Sequence, residues 1–395
     1  MIELLHQTFI IAGAAGVLIT VPGVLELLLV TWPAFRPSIL SNERTDDGFR
    51  LAAVVPAHNE EALVGACVAS ILSSAQAGPS CEIVVVADNC TDGTATRASA
   101  AGARVLVRED FQRRGKGHAL RFAFDQLLEE GFDGFLIVDA DSLVSRNLVQ
   151  EVASSLIAGA DAVQARYRVA CPSDSLRKRL MDVALLAFNV LRPRGRDNWG
   201  ISAGISGNGF ALSRRTLRDV PYSAESIVED LEYHLLLVNA GKRVRFADRA
   251  TVYGVMPDDA GAQTSQRARW EGGRLRVTRD WVPKLAALFR RRRFSAVEPL
   301  FELLTLPLAY LATVSLLLCA LPYGFFRWYG AAVLALLLTH VVSAISLGDE
   351  FWKDLMSLLA APFYVAWKVT TLPAVFRSSN RKTEWLRTQR KSGAI

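Results

Sequence analysis

The chain has 395 residues, of which 51% are apolar and 21% are charged. This length suggests two or three structural units rather than one ordinary soluble domain. The composition excludes an intrinsically disordered chain, which would be poor in apolar residues, and it suggests that part of the chain lies in lipid. The five cysteines form no Cys-x-x-Cys pair, which argues against a zinc site and a disulfide framework.

The net charge of +6 is unevenly distributed. From Trp281 onward there are 14 Lys and Arg against six Asp and Glu, so the preceding part is slightly acidic. The excess flanks hydrophobic segments, in the run 290–293 and in the tail from Arg377 to Lys391. A nucleic-acid binder would concentrate this charge on a folded domain. We therefore expect membrane lipids, and not nucleic acid, as partners.

The first hydrophobic segment, Thr8 to Thr31, is long enough to cross a bilayer. A signal peptide is the alternative interpretation, but no Lys or Arg precedes Arg36. Arg36, Arg44 and Arg50 follow the segment, which predicts an external N-terminus and a cytoplasmic middle region. Glu26 would be costly in lipid unless it faces another helix or water, or extends to the interface.

The middle region alternates short β-rich apolar runs with helical patterns. This alternation predicts an α/β domain with a parallel sheet covered on both faces. Such sheets bind ligands beyond the carboxyl ends of their strands. The predicted strands are Leu51–Pro56, Glu82–Asp88, Arg104–Val107 and Phe135–Asp139, and the predicted helices are Glu60–Ser74, Gly93–Ala101 and Lys116–Glu130.

Three of these strands end in acidic or polar residues, which predicts an acidic crevice. The most informative is Asp139-Ala140-Asp141, directly after a buried strand. Two carboxylates with few other ligands suit Mg²⁺ or Mn²⁺, which share their coordination with water and phosphates. An Asp-x-Asp can also be an ordinary acidic turn, but its position at a strand end favours the metal. The region lacks the P-loop and dinucleotide fingerprints.

Three further motifs follow, each with an ordinary structural explanation. An acidic pair at a helix start interacts favourably with the helix dipole, and Gln-x-x-Arg-Trp could belong to an amphipathic helix. The motifs are Gly207-Asn208-Gly209, Glu229-Asp230 and Gln266 to Trp270.

Taken in order, Pro-Ala-x-Asn-Glu, Asp-Asn, Gly-Lys, Asp-x-Asp, Gly-Asn-Gly, Glu-Asp and Gln-x-x-Arg-Trp resemble the membrane-bound family 2 glycosyltransferases. That group includes cellulose, hyaluronan and chitin-type synthases and many bacterial exopolysaccharide transferases. The resemblance covers Leu51 to Gly273. It implies a GT-A fold, with a Rossmann-like, mostly parallel sheet, flanked by transmembrane helices. Val228, where the family often has Thr, and Asn89, where a second Asp is common, depart from the pattern.

The resemblance implies a nucleotide-sugar donor, with a UDP-sugar expected, and a divalent Mg or Mn cation. Asp141 and Asp139 would bind the metal, and Lys116 would approach the diphosphate. The ordinary alternative for Lys116 is a solvated helix start. The residues implied in donor binding are Ala57, Asn59, Glu60, Asp88, Lys116, Asp139 and Arg269.

The resemblance also places a catalytic base at Asp230, with Glu229 beside it. A carboxylate base activates the acceptor hydroxyl, and attack opposite the leaving group inverts the anomeric centre. His234 and His58 are expected to have packing or hydrogen-bonding roles. The acceptor residues would be Asn208, Gln266 and Trp270.

The expected reaction is transfer to a lipid-linked or growing glycan at the cytoplasmic face of a bacterial inner membrane. An export or polymerisation partner would handle the product. The alternatives are a processive synthase that translocates its own polymer, a nucleotidyltransferase, and a non-catalytic membrane scaffold that retains the fold.

The C-terminal part carries two further predicted spans, Leu300–Leu321 and Tyr329–Leu347. A third apolar stretch, Leu355–Phe376, contains two prolines and Lys368. We expect it to lie in the membrane interface, with Lys368 reaching the headgroups and the basic tail in the cytoplasm. The expected organisation is a transmembrane helix in 1–35, a catalytic domain in 48–280 and a membrane region in 281–395.

Overall fold

The computed structural model describes residues 1–37, 46, 48–76, 78–170, 175–224, 226, 228–255, 260–290 and 297–380. Within these ranges, the side chains of residues 2, 5, 260–269, 376 and 378–380 are not described. The predicted basic tail from Arg381 onward lies outside the described residues.

In the described part of the chain, eight strands form one sheet. They are β1 Arg50–Ala57, β2 Ser80–Asp88, β3 Arg104–Arg108, β4 Gly134–Ile137, β5 Ser142–Val144, β6 Ala162–Val169, β7 Phe210–Ser213 and β8 Val244–Gly254. The spatial order is β3-β2-β1-β4-β7-β6-β8-β5. The first four strands pair in parallel, whereas β7 is antiparallel to both β4 and β6.

Helices cover both faces of this sheet. The helices of the middle region are α2 Val64–Ala75, α3 Thr94–Ala100, α4 Lys116–Leu127, α5 Leu148–Ile157, α6 Leu176–Leu185, α7 Arg192–Asn198, α8 Arg214–Asp219 and α9 Glu229–Asn239. The other helices are α1 Ile2–Thr31, α10 Ala260–Arg290, α11 Val297–Leu304, α12 Leu308–Ala320, α13 Gly324–Ile345, α14 Phe351–Ser357, α15 Ala361–Thr370 and α16 Leu372–Asn380.

The core around the sheet consists of two apolar layers, one on each face. Alternate residues of β1 point to opposite faces, so Val54 packs with Phe124 of α4, while Val55 packs with Ile71 of α2. This arrangement confirms a sheet that is largely parallel and buried on both faces, although its pairings with β7 and between β5 and β8 are antiparallel. The predicted helix after β1 begins at Val64 rather than Glu60, because a turn occupies the intervening residues.

Among the described residues, two helices are long and apolar enough to cross a membrane: the candidate spans are His6–Phe35 and Gly324–Ile345. The second predicted span, Leu300–Leu321, is not one straight helix. It is divided into α11 and α12, which are bent by 68° relative to each other. Pro307, at the N-terminal boundary of α12, lies at this break, where its ring is incompatible with a continuous helix.

The segment predicted to lie in the membrane interface consists of short helices, α14 to α16. The expectation that Lys368 reaches lipid headgroups is wrong, because this buried side chain forms an ion pair with Glu271 of α10. The expectation that Glu26 extends to the interface is also wrong. Glu26 is fully buried and accepts a hydrogen bond from Arg196 of α7 at 2.7 Å, so the alternative of a facing protein helix is correct.

Candidate active site

The carboxyl ends of β1, β2 and β4 meet at one edge of the sheet. Ala57 at the end of β1 is in register with Ala87, one residue before the end of β2. On the other side of β1, Val54 is in register with Ile137, the last residue of β4. The sheet therefore brings the Ala57–Glu60 turn, Asp88 and the Asp-x-Asp motif to a common edge, where such sheets bind ligands.

The turns after β1 and β2 each carry an asparagine with an unusual backbone conformation, and Asn59 ties the two turns together. Asn59 and Asn89 are the non-glycine residues with positive φ in the described part of the chain, at 55° and 51°. Asn tolerates this left-handed conformation better than most residues, and such positions cluster at functional sites. The Asn59 side-chain oxygen accepts a hydrogen bond from the Thr91 backbone N–H at 2.7 Å, and the Glu60 N–H donates to Thr94.

Asp88 is buried and held by protein groups. Arg108 donates to its Oδ1 at 2.6 Å and Asn89 donates to the same oxygen at 3.0 Å. His58 Nδ1 donates to the Asp88 backbone carbonyl at 2.7 Å. This contact confirms the hydrogen-bonding role predicted for His58. Sequence analysis missed Arg108, because nothing local distinguishes it from other basic residues at a strand end.

Lys116 lies at the centre of the site. It begins α4 directly after Gly115, whose φ of 127° is readily available only to glycine. Its ammonium nitrogen donates to Asp139 Oδ1 at 2.5 Å, contacts the Gly207 carbonyl and lies 4.0 Å from Glu229 Oε1. Burial lowers the pKa of Lys116, but the surrounding carboxylates outweigh that effect and raise it overall. Lys116 is therefore not a solvated helix start.

The Asp-x-Asp motif is positioned by Asn208. The Asp139 N–H donates to the Asn208 side-chain oxygen at 3.0 Å, and Asn208 donates to the Ser142 hydroxyl at 2.8 Å. That hydroxyl donates to Asp141 Oδ1 at 3.2 Å. Asn208 is buried, so these contacts fix the shape of the loop that carries both carboxylates.

The Gly-Asn-Gly motif also meets the acidic pair. A Cβ atom at Gly207 would lie 2.9 Å from Asp230 Oδ2, and φ at this residue is 76°. A side chain here would displace the Asp230 carboxylate and strain the backbone. The Asp230 Oδ1 atom accepts a hydrogen bond from the Leu231 backbone N–H at 2.8 Å, so Oδ2 is the oxygen that faces the glycine.

Both acids have perturbed pKa values. Burial raises the pKa of Glu229 to about 8, although Lys116 opposes this shift. Burial likewise raises the pKa of Asp230, and the Leu231 hydrogen bond and Lys116 oppose it. A carboxylate whose pKa is raised towards neutrality is a better proton acceptor at neutral pH. Asp230 is thus suited to general-base chemistry, whereas a Glu229 with a pKa of about 8 is mostly protonated at pH 7.

Tyr222 is a buried residue beside this pair that sequence analysis missed. Its ring contacts Tyr233 with centroids 4.4 Å apart, and its hydroxyl makes no hydrogen bond with any described residue. Burial, together with the charges of Glu229 and Asp230, raises the pKa of Tyr222 well above its usual value. The tyrosine lies outside any recognised motif, so no local pattern identifies it.

The Gln-x-x-Arg-Trp motif lies within α10. The side chains of Gln266 and Arg269 are outside the described part, whereas Trp270 is 46% exposed. Three residues later, a Cβ atom at Gly273 would contact Val228 at 3.1 Å. Because Val228 precedes Glu229, this contact packs α10 against the start of the acidic helix.

His234 lies one turn after Asp230 and has a structural role, as predicted. Its Nε2 forms a 2.9 Å hydrogen bond with the Ser202 hydroxyl. Burial lowers the pKa of His234 to about 4, so the ring is neutral at pH 7. The four cysteines in the described part form no disulfide.

Comparisons with known proteins agree with this geometry. The model of the family described as "Glycosyltransferase like family 2" matches residues 49–273. A probable glycosyltransferase of Bacillus subtilis is 25% identical over 252 residues, which are 62% of this chain and 59% of that protein. A poly-β-1,6-N-acetyl-D-glucosamine synthase of Staphylococcus epidermidis is 21% identical over 307 residues, covering 73% and 68%. The chain thus spans about three fifths of the Bacillus relative.

A solved structure shares the fold. It is a mannosyltransferase of Pyrobaculum calidifontis in complex with GDP-mannose and Mn²⁺, with a TM-score of 0.52 and 20% identity. The match covers 94% of this chain and 100% of that one. The family match covers more than half of the chain and includes every strand and acidic motif of the site. The chain therefore belongs to the glycosyltransferase-like family 2 and has a GT-A catalytic domain.

Proposed function

We propose that the protein is an inverting glycosyltransferase that uses a nucleotide-diphosphate sugar, with a UDP-sugar as the expected donor. The acceptor would be a lipid-linked or growing glycan at the cytoplasmic membrane face, for surface polysaccharide or glycolipid synthesis. The observation that supports this proposal best is the contact of Lys116 with Asp139 and its approach to Glu229. These contacts bring the Asp-x-Asp motif and the acidic pair Glu229-Asp230 together in one site.

The donor would bind at the carboxyl edge of the sheet. The Ala57–Glu60 turn and Asp88 would form the nucleoside end of this edge, where Arg108 fixes the Asp88 carboxylate. Lys116, and Arg269 from α10, would face the diphosphate. Positive charge at this position stabilises a leaving group whose negative charge grows as the glycosidic bond breaks.

Asp139 and Asp141 fit a divalent cation. Both are hard oxygen donors on one short loop, and the loop is fixed by Asn208 and Ser142. A set of two carboxylates suits Mg²⁺ or Mn²⁺, which complete their coordination with water and substrate phosphates. When bound, the metal would supply Lewis-acid stabilisation of the diphosphate.

Asp230 would act as the base. Its Oδ2 faces Gly207, while Oδ1 is occupied by the Leu231 N–H. The carboxylate takes the proton of the acceptor hydroxyl as that oxygen forms a bond to the anomeric carbon. The bond from that carbon to the diphosphate breaks on the opposite face, so the nucleoside diphosphate leaves and the configuration inverts. Glu229, Gln266 and the exposed Trp270 would line the acceptor side, in a pocket shaped by Asn208.

The membrane helices would place this site near a lipid-borne acceptor. We propose an external N-terminus, three spans and a catalytic domain at 48–280 on the cytoplasmic face of a bacterial inner membrane. The distribution of basic residues after the first span supports this orientation. The bent pair α11 and α12 would then be the second span, and a separate partner would export or polymerise the product.

A donor panel tests the proposal. The full chain, purified in detergent, is incubated with nucleotide sugars, Mn²⁺ and membrane lipid extract, and the released nucleotide is identified. Acceptor-dependent release of a nucleoside diphosphate from one donor is expected. Release of pyrophosphate would instead identify a nucleotidyltransferase, and no turnover with any donor would support a scaffold.

A further inference from the structure

The helix that carries the Gln-x-x-Arg-Trp motif, α10, forms an ion pair with the C-terminal segment directly beside that motif. Glu271 follows Trp270, and its carboxylate contacts the ammonium group of Lys368 on α15. Both side chains are largely buried, since 16% of the Glu271 side chain and 8% of the Lys368 side chain are exposed. The last residue of the motif is therefore next to a charge contact with a segment 97 positions away.

Tyr310 adds a third helix to this contact. Its hydroxyl donates a hydrogen bond to Glu271 Oε2 at 3.3 Å, and Lys368 Nζ lies 5.8 Å from the centroid of its ring, within the range of a cation–π contact. Tyr310 belongs to the first turn of α12, three residues after Pro307, where the second span is bent. Glu271 thus meets residues of α12 and α15 at once, which fixes the direction of its carboxylate as well as its distance.

Beyond the motif, α10 is held mainly by apolar packing against α9 and α11. Its residues in this apolar cluster are Val277, Trp281 and Leu285. They lie on the C-terminal side of the motif, so they fix the course of the helix after Trp270. Among the described side chains, the turn at Trp270 is fixed by Glu271 and by the close approach of Gly273 to Val228, the residue before the acidic pair.

The energetics of a buried ion pair favour a role in positioning. Taking two charges out of water costs about as much free energy as their attraction returns, and apolar residues of similar size are often equally stabilising. The pair therefore adds little net stability over apolar packing, but it adds direction, because the two charged groups meet only when their helices keep one register. A shift of α10 relative to α15 would separate these charges in poorly hydrated surroundings, which is costly.

We propose that Lys368 is a positioning residue for the transfer site. Through Glu271 it holds the turn of α10 that carries Arg269 and Trp270 beside the acidic pair, so the C-terminal segment belongs to the transfer machinery. A misplacement of about 1 Å caused far from the reacting atoms can lower a rate about a hundredfold. This inference rests on the proposed glycosyl transfer and adds a residue that touches neither substrate.

A distance measurement tests the position of this turn without any turnover. In a full chain without native cysteines, spin labels are attached at Trp270→Cys and at Arg215→Cys on α8, and the distance between them is measured by double electron–electron resonance in detergent. Lys368→Met should broaden or shift the distance distribution, because the turn loses its fixed position. The matched control is Arg179→Met, which removes a similarly buried cation from its 2.7 Å pair with Asp354 of α14 and should leave the distribution unchanged.

Kinetics with the native cysteines and Trp270 in place separate positioning from stability. Lys368→Met should lower kcat about tenfold or more, whereas Arg179→Met should lower the unfolding temperature and leave the kcat of the folded protein unchanged. Exchanging the charges, Glu271→Lys together with Lys368→Glu, should restore kcat to within about threefold of the parent, because the pair is re-formed. If Lys368→Met does not fold, as judged by circular dichroism, Glu271→Gln takes its place in both measurements.

An unchanged distance distribution in the folded Lys368→Met variant would overturn the assignment, and so would a folded charge exchange that stays as impaired as Lys368→Met. An equal loss of kcat in Arg179→Met would show that any weakened contact of the C-terminal segment lowers activity, which would also overturn it. The distance measurement needs no substrate. A displaced turn in Lys368→Met, together with no turnover of the parent on the donor panel, would contradict the proposed function alone.

Discussion

The ammonium nitrogen of Lys116 lies 2.5 Å from Asp139 Oδ1 and 4.0 Å from Glu229 Oε1. One partly buried cation therefore links the loop proposed to hold the donor with the acidic pair proposed to activate the acceptor. Its charge lowers the pKa of both Glu229 and Asp230 against the effect of burial. Lys116 thus influences the protonation of the base as well as the binding of the donor.

Replacing Lys116 should shift the pH profile of the reaction. Burial already raises the pKa of Asp230, and Lys116→Gln removes an opposing charge, so the pKa should rise further. Because the base must be ionised, the acidic limb of kcat should move to higher pH in this variant. The measurement is kcat against pH at saturating donor. Lys242→Gln is the control, since Lys242 pairs with Asp219 away from the site.

An unshifted acidic limb in Lys116→Gln, with kcat lowered equally at every pH, would contradict this electrostatic link. It would leave Lys116 with a donor-binding role alone.

Asp141→Asn should lower metal-dependent turnover by about a hundredfold or more, because it removes a charged ligand from a site with few protein ligands. Excess chelator should have the same effect on the parent protein. Nucleoside diphosphate release is measured across a Mn²⁺ titration. Full activity of the parent in chelator would refute the metal assignment.

Asp230→Asn should leave nucleotide-sugar binding nearly intact while lowering transfer by about 10²–10⁴-fold. The reason is that Asp230 faces Gly207 and would act on the acceptor rather than on the nucleoside. Calorimetric titration of the donor and a turnover assay are run on the same preparation. Lost donor binding would show that Asp230 belongs to the donor site or supports the fold.

Arg196→Met should destabilise the protein strongly, by about 3–5 kcal/mol, because it leaves Glu26 and two glutamates of α11 buried without their cation. Arg215→Met, at an exposed position, should change the free energy of unfolding by less than about 0.5 kcal/mol. Thermal unfolding in detergent is compared for both variants. Equal stability of the two would mean that the buried ion cluster contributes little.

The proposed topology can be tested at Gly324, where an added side chain would meet open space. In a background without native cysteines, Gly324→Cys should react with a membrane-impermeant thiol reagent in intact cells. Arg215→Cys, on the catalytic domain, should react only after lysis. The reverse labelling pattern would show that the protein has the opposite orientation in the membrane. Labelling of a cysteine at position 393 in intact cells would indicate a fourth span.

Much of the catalytic domain could be predicted from sequence because its signals are local. Alternating apolar runs identified β1 to β4, and an acidic motif at a strand end indicated where Asp139 would lie. In a sequence, buried parallel strands are short apolar runs, and the turns that follow them carry polar residues. These regularities extend over only a few residues, so one sequence is sufficient to detect them.

The contacts between distant segments could not be predicted in this way. Glu26 and Arg196 are 170 positions apart, and Lys368 meets Glu271 across 97 positions. Taken alone, Glu26 and Lys368, which lie in apolar segments, suggest contact with water or headgroups. Only the packing of α1 on α7, and of α15 near α10, shows that the opposite charge is supplied by the protein.

The most direct test of the proposed reaction is the anomeric configuration of the first product, followed by nuclear magnetic resonance during turnover of the donor found in the panel. Direct displacement with Asp230 as the base should give a single anomer opposite to that of the donor, and Asp230→Asn should give no such product. A product that retains the donor configuration would contradict direct displacement with Asp230 as the base.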